Sequence, residues 1–448
     1  MQISSNRISM IPISIADLIR RIPNKINPFF GIRHISNNLI IKTYDSFTIE
    51  QQRQFVFEKF KWIIEYAYSN IQFYFDFYNQ CGFTPDSLRS FDDIRSVPII
   101  NKEILLNYPL EKRSCEVKGS IKVNTGGSSG HTLDFYQQYS ENKYHDLIHM
   151  NHIWRSLDYK FSDTILGMSG ISNIGQGIAY SIRNNAIVLD TYRSFDQLAP
   201  KLKSIAKLRP IRFLHGYPSI LYEFAIYCND YDHDLMKTLR KTLKGAFLGS
   251  EYPHPTFRDC IEDVFRINTI NWYGHTEGAV LAYEKDSKYR YNPFQTYGYS
   301  EISEDCHLLG TTYFNLSSPF IRYDTEDSVT DPEVINGILV SFELKNGRQG
   351  EYILNKSGKK ISLTGLIFGR HHKLFDYCTH IQVCQKEKGQ AIILYVKRAE
   401  SMDFNPIQLF DSNNIEMNFT FREIPAPLKT RGGKLNLLVT KDQLEDYV

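Results

Sequence analysis

Short strand-like runs alternate with helix-like stretches between residues 121 and 345. The runs that predict strands are DTILGMS, AIVLD, IRFLHGY, LKGAFLGS and INTINWYG, and the stretches that predict helices between them are 195–208, 217–228 and 254–265. Residues 308–316 and 334–344 predict two further strands, for which an antiparallel arrangement is an option. Because strands separated by helices usually pair in parallel, the pattern predicts a multi-layer α/β fold with a substantially parallel sheet.

Two further regions flank this alternating part of the chain. Residues 49–80 carry apolar residues at three-to-four spacing, which predicts one long helix or a helical pair in an N-terminal helical region. The polar run KNGRQG at 345–350 interrupts the pattern, and strand-like YIL, KISLT, HIQVCQ and AIILYVK, a candidate helix at 371–378 and a basic tail follow it. We therefore expect a large domain over residues 1–345 and a small α+β domain over residues 346–448.

The composition is that of an ordinary globular protein, since 42% of the 448 residues are apolar. The 52 basic and 50 acidic side chains leave a net charge of +2, so we expect no nucleic-acid partner. No stretch approaches the roughly 18 apolar residues of a membrane span. No apolar core follows Arg7 before Asp17, so a signal peptide is not expected, and Ile13 to Ile22 predicts a short amphipathic surface helix.

The seven cysteines are scattered, odd in number and without a CxxC pair. This usage is typical of free thiols in a reducing compartment, which predicts a cytoplasmic protein. Cys306-His307 and the group Cys378, His380 and Cys384 lack paired metal-ligand spacing, so a zinc site is not favoured.

The most distinctive local feature is the loop Asn124-Thr125-Gly126-Gly127-Ser128-Ser129-Gly130. Its glycines let backbone amides turn inward and its hydroxyl groups add donors, which suits a phosphate cradle. The loop lacks the Gly-Lys-Ser/Thr ending of a Walker loop and the spacing of a dinucleotide fingerprint. Taken alone, it is equally consistent with a flexible surface loop.

Three more segments could carry chemistry. In Trp272-Tyr273-Gly274-His275-Thr276-Glu277-Gly278, an aromatic ring could stack on a base while Thr276 and Glu277 offer oxygen ligands to a hard cation. In Arg322-Tyr323-Asp324-Thr325-Glu326-Asp327, the last carboxylate could accept hydrogen bonds from a ribose. The basic segment Lys429-Thr430-Arg431-Gly432-Gly433-Lys434 could reach an anion. Taken singly, each segment also has a purely structural interpretation. The first could be a strand-to-turn segment, the second a charged surface hairpin and the third a solvated tail.

In this order and spacing, the four segments resemble the acyl-adenylate-forming (ANL) superfamily, from about Pro98 to the end of the chain. The resemblance is strongest to the phenylacetate–CoA ligase branch and to the related ligase-like proteins of capsular polysaccharide clusters. Three more segments support it, namely His215-Gly216-Tyr217-Pro218-Ser219, Gly249-Ser250-Glu251 and the hinge-like Gly347-Arg348-x-x-Glu351.

The resemblance implies a role for each matched residue. The implied nucleotide-binding residues are Thr125, Gly126, Gly127, Ser128, Ser129, Gly130, Gly249, Ser250, Glu251, Tyr273, Gly274, Thr276, Asp327 and Arg348. Lys434 and Glu277 have the implied catalytic roles, and Glu277 is also the implied magnesium ligand. The chain departs from the family pattern at Gly126, at His131-Thr132, at Glu326, where glycine is usual, and mildly at Glu351.

The function that this resemblance implies is ATP-dependent activation of a small carboxylate to an acyl-AMP, followed by transfer to a second nucleophile. A mobile C-terminal domain would rotate between the two steps. The acceptor is an amine or a thiol, such as an amino acid, an amino sugar, CoA or a carrier protein, and surface polysaccharide biosynthesis is the expected setting. The implied cofactors are ATP/AMP and Mg²⁺, with CoA left open.

Two alternatives stay open at this point. One is an acyl-CoA ligase of the phenylacetate–CoA type, and the other is a family member that binds nucleotide or glycan without catalysis. We expect the acyl pocket between the phosphate loop and the 215–280 region. The glycine-rich segment 169–177, with the polar residues Ser169, Asn173 and Gln176, either lines that pocket or is a structural connection.

Overall fold

The computed structural model describes residues 10–11, 39–124, 133–169, 174, 177–181, 184–191, 193–345, 352–358, 360–367, 372–398, 401, 403–412, 415–429 and 435–445. The helices in these ranges are α1 (Leu39–Asp45), α2 (Ile49–Asn70), α3 (Gln72–Gln80), α4 (Lys102–Leu106), α5 (Tyr139–Arg155), α6 (Phe195–Leu208), α7 (Pro218–Asp230), α8 (His233–Arg240), α9 (Pro255–Phe265), α10 (Leu363–Ile367), α11 (Pro406–Leu409) and α12 (Lys441–Glu445). Short 3₁₀ helices occupy Pro85–Ser87, Phe91–Ser96 and Lys373–Asp376.

The strands of the first 345 residues are β1 (Met10–Ile11), β2 (Ser120–Asn124), β3 (Asp134–Gln138), β4 (Thr164–Met168), β5 (Ile178–Ser181), β6 (Ala186–Leu189), β7 (Ile211–Gly216), β8 (Gly245–Leu248), β9 (Asn268–Gly274), β10 (Leu281–Tyr283), β11 (Arg290–Pro293), β12 (Gly298–Ile302), β13 (His307–Thr312), β14 (Tyr323–Ile335) and β15 (Ile338–Leu344). Those that follow are β16 (Tyr352–Leu354), β17 (Lys360–Ser362), β18 (Cys378–Glu387), β19 (Gln390–Lys397) and β20 (Asn418–Glu423).

A large mixed sheet organises the first 345 residues, in the order β1-β5-β6-β4-β7-β8-β9-β10-β11-β15-β14-β13-β12. Its centre is parallel, since β6 pairs with β4, β4 with β7, β7 with β8, and β8 with β9 in that sense. Its second half, from β9 to β12, is antiparallel. The predicted α/β fold is therefore confirmed, and all five strand-like runs and the three helices between them are present.

Both faces of the parallel centre are covered, which explains why its strands are apolar almost throughout. Leu166 and Leu214 belong to a buried cluster with the crossover helices α6 to α9, whereas Ile165 and Phe213 belong to a second cluster that includes Trp154 of α5. Side chains of a strand alternate between the two faces of a sheet. Neighbouring residues of one strand thus reach different layers.

The predicted helical region at 49–80 is a pair of helices, because the chain breaks at Ile71 between α2 and α3. Thr48 and Gln51 form a reciprocal capping box at the start of α2. The pair packs into an aromatic cluster that includes Tyr299 and Phe320 from the antiparallel half of the sheet. The N-terminal helices therefore form part of the large unit.

The residues after 352 form separate sheets, β16–β17 and β18-β19-β20, with their own buried cluster around Ile381 and Ile393. A large unit followed by a small α+β unit is as predicted, and the boundary at 345/346 stays a prediction because 346–351 lie outside the described residues. The prediction of a helix at 371–378 is wrong, because the described residues of this segment form only a 3₁₀ turn at Lys373–Asp376, followed by a strand. Cys378 begins β18 because pairing with β19 overrides the local helical pattern.

Three further predictions concern the basic tail, the N-terminal surface helix and membrane spans. The supposed basic tail contains β20, which pairs in parallel with β19. The surface helix expected from Ile13 to Ile22 lies outside the described residues. Within the ranges that the structure covers, no helix has both the length and the apolar composition to cross a membrane.

Arg322 joins the N-terminal region to the sheet. Its guanidinium donates two hydrogen bonds to Glu301, at 2.8 and 3.0 Å, and two more to the carbonyl oxygens of Arg95 and Val97, at 2.9 and 2.6 Å. Burial raises the pKa of Glu301, and the charge of Arg322 opposes that rise. The two residues form a buried, bidentate salt bridge, so removal of one partner would leave the other buried without its counter-charge and hydrogen bonds.

We predict that Arg322→Met lowers the free energy of unfolding by about 3–5 kcal/mol, because it leaves a buried carboxylate and two carbonyl groups without donors. Urea denaturation followed by circular dichroism measures the change. Arg290→Met is the matched control, since the partially exposed Arg290 pairs with exposed Asp331 and should cost less than about 1 kcal/mol. Equal losses in the two variants would contradict the structural role of Arg322.

Candidate active site

The carboxyl ends of the parallel strands lie side by side. Met168 pairs with Gly216, Gly216 with Leu248, and Leu248 with Asn271. The segments that leave these strands therefore meet at one edge of the sheet, which is where open α/β sheets bind ligands. The predicted segments at 215–219, 249–251 and 273–278 all begin there.

The turn Gly249-Ser250-Glu251 follows β8 and is shaped by its neighbours. A Cβ atom on Gly249 would lie 2.3 Å from Trp272 Cζ2, so only glycine fits there. Ser250 has a left-handed backbone with φ 67°. Glu251 accepts hydrogen bonds from the backbone N–H of Ser219, at 3.1 Å, and of Leu435, at 3.2 Å. The turn therefore links the large unit to the C-terminal segment.

The structure brings together Tyr273 and Asp327, which are 54 positions apart in the sequence. The Tyr273 hydroxyl donates to Asp327 Oδ2 at 2.6 Å. The ring of Tyr273 also packs edge-on against Phe342, at a centroid distance of 6.1 Å. These contacts fix the positions of the predicted adenine-stacking ring and of the predicted ribose-binding carboxylate relative to each other.

Glu277 lies in a tight turn after β9. The N–H of Gly278 donates to the carbonyl of His275 at 3.0 Å, and Gly278 has φ 68°, which glycine adopts without strain. Glu277 is 9% exposed, and its carboxylate contacts His275 Nδ1 at 3.1 Å and the Tyr323 hydroxyl at 3.4 Å. Burial, and then the Glu277 charge, raise the pKa of Tyr323, so the phenol stays protonated and donates.

Tyr323 is a residue of the site for which sequence reasoning gave no role, although it lies within the matched segment at 322–327. Its contact with Glu277 joins β14 to the turn after β9, a pairing that sequence spacing does not show. His215 is a second case. It is partly buried, with its ring in contact with Trp154 and Trp272, and desolvation lowers its pKa to about 4, so it is neutral at pH 7.

Thr276 and Gly274 are exposed at the rim of the same turn. The carbonyl of Thr276 accepts a hydrogen bond from Gln137 Nε2 at 3.5 Å. Gln137 belongs to β3, the strand of the β2–β3 hairpin that follows the glycine- and hydroxyl-rich loop. That hairpin therefore lies against the Glu277 turn.

Several predicted site residues lie outside the described part of the chain. They are Thr125, Gly126, Gly127, Ser128, Ser129, Gly130, Arg348 and Lys434. Lys429 and Leu435, which flank the undescribed residues 430–434, form a β-bridge with each other, and both contact the large unit. Lys429 pairs with Glu223 at 3.0 Å, and Leu435 donates to Glu251 as described above.

Among the described residues, no group of three His, Cys, Asp or Glu side chains is arranged to hold a metal ion. Magnesium commonly binds through one or two protein carboxylates, with substrate phosphates and waters completing its octahedral shell. Glu277, a largely buried carboxylate, fits a magnesium ion that arrives with a phosphorylated ligand.

A small, partly enclosed pocket with room for about one water molecule adjoins the Glu277 turn. Its lining residues are Asn142, His145, Gly278, Tyr297, Thr312, Phe314 and Asn315. Gly278 comes from the predicted 215–280 region, whereas the other walls come from α5 and from residues 297–315. Ser169 and Gly177 are not among them, and most of segment 170–176 lies outside the described residues.

The backbone at Glu326 shows how the chain accommodates a residue other than glycine at this position of the family motif that it resembles. Glu326 occupies the position where the family usually has glycine, and its φ is 62°, in the left-handed region that favours glycine. Its N–H donates to Asp324 Oδ1 at 2.7 Å, which holds this conformation. A non-glycine residue is therefore accommodated with backbone strain, and the turn before Asp327 is kept.

We predict that Glu326→Gly leaves the free energy of unfolding unchanged or raises it by up to about 1 kcal/mol, because relief of left-handed strain offsets the extra chain entropy of glycine. Glu333→Gly, farther along β14 and without a positive φ, is the control and should lower it by about 1 kcal/mol. Thermal and urea unfolding of both variants measure the difference. A loss in Glu326→Gly as large as that in the control would argue against strain at this position.

No protein-family model matches the chain. Protein CapK of Staphylococcus aureus is 24% identical over 337 residues, which span 70% of each chain. The phenylacetate–coenzyme A ligase of Pseudomonas putida is 27% identical over 77 residues, which span 17% of this chain and 18% of that protein. A 2-hydroxyisobutyryl-CoA ligase in the postadenylation state has the same fold, with a TM-score of 0.64, 13% identity and coverage of 89% of this chain and 91% of that one.

These likenesses agree with the resemblance inferred from the motifs. The structural likeness shows the fold, with its large N-terminal and small C-terminal units. One of the two sequence relatives is named as a phenylacetate–coenzyme A ligase, which is a branch that the motifs resemble. The chain therefore has the fold of a 2-hydroxyisobutyryl-CoA ligase and is similar in sequence to CapK and, over a short stretch, to a phenylacetate–coenzyme A ligase, which agrees with its resemblance to the acyl-adenylate-forming superfamily.

Proposed function

We propose that this protein is an ATP-dependent ligase that converts a carboxylate to an acyl-AMP and then passes the acyl group to a second nucleophile. The observation that carries this proposal is the placement of Tyr273, Asp327 and Glu277 at one edge of the sheet. An aromatic ring, a carboxylate held by that ring's hydroxyl, and a second carboxylate in the adjacent turn suit an adenosine phosphate with its metal ion.

The roles implied by the family resemblance give the proposed nucleotide contacts. The Asp327 carboxylate would accept hydrogen bonds from the ribose hydroxyls, and the Tyr273 ring would stack on adenine. The Gly249-Ser250-Glu251 turn would lie along the base, with Gly274 and Thr276 beside it. Residues 125–130 would bind the β- and γ-phosphates through backbone N–H and hydroxyl groups, and Arg348 would approach the nucleotide.

Glu277 would hold the magnesium ion, whose positive charge offsets the charge of the phosphates. His275 and Tyr323 contact this carboxylate and so restrict its orientation. A carboxylate fixed before the ligand arrives needs little reorganisation when the ligand binds.

Acyl-AMP formation is a displacement at phosphorus. A carboxylate oxygen of the acid attacks the α-phosphorus of ATP, a new C–O–P bond forms, and the bond to the β-phosphate breaks to release pyrophosphate. Negative charge builds up on the attacking oxygen and on the α-phosphate oxygens. Lys434 would place its ammonium group there, which is the implied role of this residue in the family.

Contacts at the base of the Lys434 segment support this assignment. Leu435, the next residue in the sequence, donates to Glu251, and Lys429 pairs with Glu223. Glu251 belongs to the turn at the edge where the nucleotide would bind, and Glu223 belongs to helix α7, which begins at that edge. Transfer to the acceptor would then require the small domain to rotate about the 346–351 segment, a hinge-type step.

The acceptor is a thiol or an amine. The likeness to two enzymes named as CoA ligases favours CoA or another thiol. The resemblance of the motifs to ligase-like proteins of capsular polysaccharide clusters makes surface polysaccharide biosynthesis the proposed setting. An amine acceptor, an amino acid or amino sugar, would yield an amide by the same first step. Dependence on ATP makes the cytoplasm the proposed compartment.

We predict that the protein catalyses exchange of labelled pyrophosphate into ATP in the presence of its acid, and that Lys434→Ala slows the exchange about a hundredfold or more. Loss of an oriented charge of this kind costs roughly 3–4 kcal/mol in the barrier. Lys441→Ala, an exposed change at the start of α12, is the control and should retain the wild-type rate. An unchanged rate in Lys434→Ala would contradict the proposed role of Lys434, and no exchange with any acid would leave only the binding function.

We predict that Asp327→Ala weakens ATP binding about tenfold or more, because hydrogen bonds to a charged group contribute roughly 1.5–3 kcal/mol. Binding of 2′,3′-dideoxy-ATP, which lacks the ribose hydroxyls, should change little. Calorimetric titration of both nucleotides with both proteins separates the ribose contact from a general effect. Equal weakening for the two nucleotides would argue against a ribose contact.

A further inference from the structure

Two short stretches of backbone at 428–429 and 435–436, here called the stem, flank the undescribed residues 430–434 and hence Lys434. Lys429 and Leu435 form an antiparallel β-bridge, which brings the two stretches side by side. Lys434 directly precedes Leu435 in the sequence. The contacts that hold the stem therefore set the place from which the Lys434 side chain starts.

Gln382 of β18 closes the stem from within the small unit. Its Nε2 donates to the carbonyl oxygens of Leu428 and Asn436, both at 2.8 Å, and its Oε1 accepts from the N–H of Leu428 at 2.7 Å. Gln382 is buried, and a parallel bridge between Val383 and Leu438 continues the attachment along β18. The stem is therefore tied to the small unit by bonds of that unit alone.

Two carboxylates of the large unit, here called the dock, receive the stem. The Lys429 ammonium donates to Glu223 Oε2 at 3.0 Å, and the N–H of Leu435 donates to Glu251 Oε1 at 3.2 Å. Glu251 is itself held at the start of α7, because its Oε2 accepts from the N–H of Ser219 at 3.1 Å. Each side of the stem thus has one contact with the large unit, and both carboxylates adjoin the first two turns of α7.

The small unit meets the dock on a largely buried surface. The side chains of Lys429 and Glu223 are 19% and 16% exposed, so solvent screens their charges only partly. The hydroxyl of Tyr222, beside Glu223, donates to the carbonyl of Thr379 at 3.3 Å. His380 Nε2 lies 3.7 Å from Glu223 Oε1, but burial lowers the pKa of His380 to about 4. The ring is neutral at pH 7, and Lys429 is the charged partner of Glu223.

The two kinds of contact differ in what a rotation of the small unit would do to them. The bonds of Gln382 lie within the small unit and would be kept if that unit rotated about the 346–351 segment. The contacts of Glu223 and Glu251 cross between the units and would break. The dock therefore holds the stem in the arrangement described here and in no rotated one.

We propose that Glu223 and Glu251 are positioning residues for the activation step, which dock the stem at the edge where the nucleotide would bind and so set the place from which Lys434 acts. The inference rests on the proposed function, because it explains how the lysine of that reaction is placed. It also extends the role predicted for Glu251, since each of its carboxylate oxygens accepts a backbone N–H.

Amide hydrogen exchange at single-residue resolution tests the dock in the full chain without a ligand. In Glu223→Gln we expect the Leu435 amide to exchange about tenfold faster, because a hydrogen bond between charged groups favours the docked state by about that factor or more. The Leu428 amide should keep its wild-type rate, since its partner Gln382 belongs to the small unit. An unchanged Leu435 amide would overturn the inference, and so would equal acceleration of both amides, which indicates general loosening.

Asp232→Asn is the matched control. Asp232 pairs with Lys203 at 3.0 Å within the large unit and caps α8 through the N–H of Leu235, a cap that asparagine keeps. Loss of this lysine partner should leave both amides at their wild-type rates. If Glu223→Gln does not fold, Lys429→Met removes the same contact from the side of the stem and is judged by the same two amides.

Labelled pyrophosphate exchange into ATP tests whether the dock serves the activation step. Phenylacetate, lactate and alanine are the probe acids, so that an aryl, a hydroxy and an amino acid are each represented. We expect Glu223→Gln to lower kcat about tenfold and to change KM for ATP less than twofold, because Glu223 has no predicted contact with the nucleotide. A rise in KM without a fall in kcat would overturn the positioning role.

The outcomes separate this inference from the proposed function. Absence of exchange with every probe acid in the wild-type protein counts against the proposed function and removes the positioning role with it, whatever the amides show. Exchange in the wild-type protein at a rate that Glu223→Gln does not change keeps the proposed function and removes the positioning role alone.

Discussion

The parallel register of the central strands is the constraint on which the rest of the structure depends. Met168, Gly216 and Leu248 pair in line across β4, β7 and β8, so these strands end at one edge of the sheet. Parallel strands need crossover helices, and α6 to α9 cover one face while the second buried cluster covers the other. Because both faces are packed, the edge is the place where polar segments can converge.

Three carboxylates project at this edge, and a hydrogen bond from another element orients each of them. Glu251 is held by the N–H groups of two separate segments, Asp327 by the Tyr273 hydroxyl, and Glu277 by its contacts with β14 and its own turn. Side chains that are oriented before the ligand arrives suit a reaction in which charge is redistributed between phosphate groups.

The sequence was sufficient for the features that depend on local pattern or on covalent neighbours. The apolar runs predicted the central strands, and the segments at 249–251 and 273–278 follow them directly in the chain. Features that depend on tertiary pairing were missed. The strand β18 replaced a predicted helix because it pairs with β19. The pocket wall at Asn315 lies far in sequence from His145, and no spacing rule joins them. At Glu326 the sequence shows only that glutamate stands where glycine is usual, and the left-handed backbone of this residue is a feature of the structure.

If the acid attacks the α-phosphate of ATP, one of its carboxylate oxygens ends in the AMP that is released. The acid is labelled with ¹⁸O in both carboxylate oxygens and incubated with ATP, magnesium and hydroxylamine, a nucleophile that traps activated acyl groups. Mass spectrometry then locates the label. An acyl-AMP intermediate predicts one ¹⁸O atom in the phosphate of the AMP released. Label in orthophosphate together with ADP, or AMP without label, would contradict the account.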